Sequence, residues 1–137
     1  MRAVLIFARL LVGVAGIAVL VLGLLFWSGN PSVLSMMGTL LPIHMHLGEA
    51  LVLGLWILGV QALIARVSSG LAVLVLAWGL LVPALGMMHP SLMPGGMHWV
   101  IQLTHLLVGV VALGLGHMLA ARIGAALKNP PAARVAA

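Results

Sequence analysis

The sequence predicts an all-α integral membrane protein: an up-down bundle of four transmembrane helices, forming one domain over residues 1–137. Three observations carry this reading. Hydrophobic residues make up 64% of the chain and charged residues only 5%, against about 25% charged in soluble domains. Apolar runs recur four times, each near or above the roughly 18–20 residues that a helix needs to cross a bilayer core. All 6 Lys and Arg fall on segments that four crossings bring to one side.

The first span is expected over about residues 5–27, where Leu10 to Trp27 (LLVGVAGIAVLVLGLLFW) carries no charge. Its apolar core is too long for a cleaved signal peptide and no small-x-small site follows, so it is expected to remain as a membrane helix. Lipid offers a backbone no hydrogen-bond partners, so each such run must be helical. SGNPSVLSMMGTLLP then leads to the second span, with room for a short helix lying at the outer surface. That span, 43–65, is interrupted only by His44, His46, Glu49 and Gln61. RVSSG turns the chain, with Ser-Gly as punctuation. The third span, 71–89, contains Pro83, which should kink it. HPSLMPGG is too rich in Pro and Gly to be regular, and the fourth span covers 97–122. Residues 123–137 are expected to form a cytoplasmic tail, disordered over KNPPAARVAA. Gly13, Gly16, Gly23, Gly54, Gly109 and Gly116 allow helices to approach closely.

Arg2, Arg9, Arg66, Arg122, Lys128 and Arg134 give the orientation. The positive-inside rule puts both termini in the cytoplasm of a multi-pass protein, expected in a bacterial inner (plasma) membrane. Trp27 and Trp99 sit at the outer ends of the first and fourth spans, as an aromatic belt requires. Cations scattered in this way form no patch for nucleic acid, and the expected surroundings are the lipid bilayer. Cysteine is absent, which excludes disulfides, thiolate metal sites and covalent haem attachment. No Ser-His-Asp set, phosphate loop or pair of carboxylates is present, so any enzymatic activity would be that of an oxidoreductase.

Polar residues are distributed unevenly along this axis. His44, His46, Glu49, His89, His98 and His105 fall in the outer half, and only His117 lies toward the cytoplasm. Met36, Met37, Met45, Met87, Met88, Met93 and Met97 share the outer bias. Glu49, the only acidic side chain, lies roughly 9 Å inside the second span. An isolated carboxylate there is costly, so it is expected to face the bundle near His105. His46 precedes it by one helical turn on the same face, whereas His44 points about 200° away from His46. The expected constellation is therefore His46, Glu49 and His105, with His98 near its mouth.

Three chemistries suit these residues. Histidines from two helices that start on one membrane face can ligate a haem b iron axially, with Gly48 and Gly109 letting the porphyrin approach the backbone. The segments HMHLGEALVLGLW and HWVIQLTHLLVGVVALGLG resemble parts of small bacterial four-span membrane proteins and, more distantly, membrane b-type cytochromes. That resemblance covers about a third of the chain. It implies His46 (or His44) and His105 as iron ligands. Electron transfer is the function expected of such a site, either with a quinone, because a Glu–His pair near the outer surface could accept quinol protons, or with another redox partner. The chain departs from that resemblance in having no outer Lys or Arg for the haem propionates. Copper is the second chemistry, with His44, His98 and the loop methionines as soft and imidazole ligands. The third is a cofactor-free accessory or assembly subunit, as a homo-oligomer or within a larger membrane complex.

Overall fold

An apolar chain in lipid must satisfy its own backbone, and each long apolar run is helical. The computed structural model describes residues 1–128. Its helices are α1 (Arg2–Trp27), the short α2 (Pro31–Ser35), α3 (Met37–Ile64), α4 (Ser69–Met88, prolonged by a 3-10 turn, His89–Ser91) and α5 (His98–Lys128). α1, α3, α4 and α5 are each long and apolar enough to cross a membrane. This is a multi-pass, all-α, four-helix membrane bundle.

Local sequence explains where the elements begin and turn. Asn30 caps α2, its side chain accepting from the Ser32 amide at 2.9 Å, and Pro31 occupies the first helical position, where a missing N–H costs nothing. α3 starts at Met37 rather than at the expected Ile43 and carries Pro42 inside it. Its C-terminus closes with the Arg66 amide on the Leu63 carbonyl (3.1 Å) and the Val67 amide on the Ala62 carbonyl (2.9 Å), a Schellman arrangement. Arg66 and Ser68, not a glycine, take the left-handed conformation here, at φ 54 and 50. Gly70, expected as part of the turn, lies inside α4. α5 runs on to Lys128, so 123–128 continue a helix rather than begin a tail. The rest of the expected disordered tail lies outside the described residues.

α3 packs against α1, α4 and α5, and α5 also touches α1 and α4, whereas α1 and α4 do not meet. α3 and α5 therefore face each other across the bundle and run in the same direction. Glycines allow the close crossings: a Cβ at Gly54 would come within 2.9 Å of Val12 and 3.2 Å of the Ala8 carbonyl, and one at Gly116 within 2.7 Å of Val12. At this crossing α1 widens into a π-helical turn, Leu11–Ala15. Leu51, Leu55, Leu58, Val75, Leu119 and Ile123 fill the interior. Apolar side chains such as Val14, Ile17 and Leu80 point outward at 57–66% exposure, the surface expected of a protein solvated by lipid.

Close packing is confined to one part of the bundle. Buried positions end at Val19 on α1 and Val82 on α4, and begin at Leu51 on α3 and Ala112 on α5. Beyond that level, toward α2 and the His89–Met97 connection, the interior is only half-buried. Arg2, Arg66, Arg122 and Lys128 lie at the opposite, basic end. There Gln61 donates to the Met1 carbonyl (2.8 Å) and Arg122 to Ser68 Oγ (3.0 Å), tying the helix ends together.

Candidate functional site

Four histidines converge at the loosely packed end. The ring of His44 on α3 lies 6.3 Å from that of His105 on α5, centroid to centroid. His89, at the end of α4, lies 5.5 Å from His105 and 4.8 Å from His98. Phe26 of α1 flanks His44 at 5.5 Å. His44 and His105 stand about two turns after the first residues of α3 and α5, Met37 and His98. They also stand about two turns before Leu51 and Ala112, where close packing starts. The earlier start of α3 brings the two to one depth.

Both rings have a buried Nδ1 without a hydrogen-bond partner. A glycine stands beside each: a Cβ at Gly23 would meet His44 Cε1 at 3.5 Å, and one at Gly86 would meet His105 Cε1 at 3.4 Å. α1 and α4 thus approach the two imidazoles with bare backbone. His98 differs, because its Nδ1–H donates to the Leu92 carbonyl at 3.1 Å, leaving Nε2 as the lone-pair nitrogen of the neutral ring. His117, toward the basic end, spends its Nδ1–H on the Leu113 carbonyl at 2.9 Å.

The expected constellation is only partly assembled. His105 is inside, but its counterpart is His44, not His46. His46 and Glu49 bond each other, Nδ1 to Oε2, at 3.0 Å with side chains 77% and 70% exposed. Glu49 therefore neither faces α5 nor reaches His105. Both residues continue the helical stripe of Leu53, Trp56 and Val60, which is exposed throughout, whereas His44 continues the stripe of Leu51, Leu55 and Leu58 that faces inward. Gly48 has no neighbour for an added Cβ within 4 Å, and one at Gly109 would meet Leu20 of α1 at 3.1 Å. Neither contacts a site histidine; Gly23 and Gly86 do. His98, expected at the mouth, meets His89 there.

His89, Phe26 and Gly86 are members that the sequence did not single out for the site, and Gly23 was expected as a helix-contact glycine. All come from α1 and α4, the two flanking helices, whose ends carry no internal His pair to mark them. Methionines border this end, with Met36, Met45, Met87, Met88, Met93 and Met97 exposed. Among the described residues, no three His, Asp or Glu side chains surround a common metal position. Chemically, the arrangement offers two facing imidazoles inside and two more leading to the surface. Protein-family models, curated proteins and solved structures give no match to this chain.

Proposed function

We propose that this protein binds haem b between His44 and His105 and transfers electrons on the outer side of a bacterial inner membrane, with both termini in the cytoplasm. The observation that carries the reading is the 6.3 Å separation of the two imidazoles, offered by parallel helices at equal depth. Two imidazoles bonded at about 2 Å to opposite sides of one metal put their ring centroids about 6 Å apart. Gly23 and Gly86 each seat one of these imidazoles, a Cβ at either position standing 3.4–3.5 Å from the ring. The interior at this level is only half-buried, unlike the closely packed part of the bundle.

Held by His44 and His105, a haem would supply one-electron chemistry. The chain's own residues would hold and screen it. Phe26 covers the His44 ring from α1, and His89 covers His105 from α4. Among the described residues, no Lys or Arg lies at the histidine end, so the propionates would find polar partners among groups such as Ser28, Asn30, Trp99 and water. A quinol or a redox protein at the outer surface would be the electron source or acceptor.

The test is an optical spectrum of the purified chain, oxidised and then reduced. A Soret band that shifts on reduction is expected, and it should disappear in His44→Ala and in His105→Ala but persist in His46→Ala. A colourless wild-type protein overturns the reading.

Copper handling stays as a second reading because of one feature. His98 has its Nδ1–H bonded to a carbonyl and its ring 4.8 Å from that of His89, and such a bond is what orients a metal-bound imidazole through its other nitrogen. Titration with Cu(I) against a colorimetric chelator separates the readings. Copper uptake by a colourless protein, lost in His98→Ala, would favour this one.

A further inference from the structure

The His46–Glu49 pair is in an unusual place. Its side chains are 77% and 70% exposed, yet it lies on a face otherwise formed by Leu53, Trp56 and Val60. Glu49 is about 7 Å deeper along α3 than His44. His44 itself packs beside Gly23, one turn short of the end of α1 at Trp27. Glu49 is thus at the depth of the acyl chains, where an ionisable side chain facing lipid is expensive and is normally turned inward. The neighbouring imidazole relieves part of this cost, but both groups keep most of their surface uncovered.

The same stripe has relief. Trp56, whose indole lies over Gly79 of α4, and Val60 form a ridge between two shallow, open apolar grooves, one completed by Val4, Ile57 and Ile64, the other by Val73, Leu76 and Leu80. Ridge and groove lie side by side in one patch, together with a donor and an acceptor one turn apart.

We infer that this face of α3 is the interface of a homodimer, two copies packing α3 against α3 about a two-fold axis along the membrane normal. An isologous contact requires a self-complementary patch, and this patch is one. About that axis His46 of one copy lies about 4.5 Å shallower than Glu49 of the other, so the two bond diagonally across the contact, and the ridge of each enters a groove of the other. The pairing removes the carboxylate from lipid. It leaves His44 and His105 on the opposite face of α3, so it is independent of whether haem binds.

The chain contains no cysteine, so single thiols report the contact directly. In native membranes, oxidation should yield a covalent species of twice the chain mass from Leu53→Cys and from Val60→Cys, but not from Val110→Cys on the outward side of α5. Glu49→Gln in the Leu53→Cys background should lower the cross-linked fraction at least tenfold at equal expression and helicity. The exchange His46→Glu with Glu49→His should restore it. Absence of the doubled species, equal cross-linking at Val110, or an adduct of any other mass would overturn the homodimer. So would an undiminished yield in Glu49→Gln. The readout is covalent mass, so a colourless protein leaves it unaffected.

Discussion

His44 and His46 differ by two positions and take opposite environments. Their helical phase separates them by about 200°, which is legible in the sequence. Which of them turns inward is decided by the buried stripe that begins at Leu51. Glu49 belongs to the other stripe, and the rotation of α3 that turns it outward is set by the close packing of Leu51, Leu55 and Leu58 against the neighbouring helices. Glycines divide in the same way. An added methyl at Gly54 would press on Val12, Leu11 and the Ala8 carbonyl at 2.9–3.2 Å, while Gly48 faces open space. Gly54→Ala should therefore destabilise the bundle by about 1–3 kcal/mol, less up to about 1 kcal/mol of gained helix propensity. Gly48→Ala should be neutral or slightly stabilising. Unfolding in mixed detergent micelles measures both, and Gly48→Ala should also leave any Soret band in place.

At the scale of elements, helices of a membrane bundle gain little from the hydrophobic effect between them, so packing and single interhelical hydrogen bonds matter. Trp78 of α4 donates its indole N–H to the Val108 carbonyl of α5 at 3.0 Å. Trp78→Phe keeps most of the ring and loses the bond. It should cost about 1 kcal/mol, read as a lowered midpoint in the same unfolding assay. The existence of the long helices was legible because each run is apolar and long. Their ends were less so. α3 reaches back to Met37 through Gly38 and Pro42, because helix breakers are tolerated in membrane helices. The π-helical turn Leu11–Ala15 left no sequence signal of its own. It is found where α1 meets Gly54 and Gly116, residues distant in the chain.

For the whole molecule, the charge asymmetry predicts how the bundle sits. Thiols introduced at Ser32 and Ser91 should react with an impermeant reagent added outside intact cells, and one at Ser68 only after the membrane is opened. Protection of Ser32 and Ser91 together with reaction at Ser68 would invert the orientation. If haem is bound as proposed, its loss should lower the thermal midpoint, because a ligand binding only the folded state stabilises it by mass action. In His105→Ala the midpoint should then no longer respond to added haem. That comparison needs no activity assay.

The sequence by itself determined the class of protein, the number of spans, the shared direction of α3 and α5, and the concentration of His and Met at one end. These follow from composition and from distance along the chain, which lipid and backbone hydrogen bonding convert directly into helices. Only the tertiary structure decided that His44 rather than His46 opposes His105. It alone brought His89, Phe26, Gly23 and Gly86 to the site and turned Glu49 outward. Those outcomes depend on how each helix is rotated about its own axis. That rotation is set by the fit of Val12 against Gly54 and Gly116 and of Trp56 against Gly79, contacts between segments that no local pattern relates.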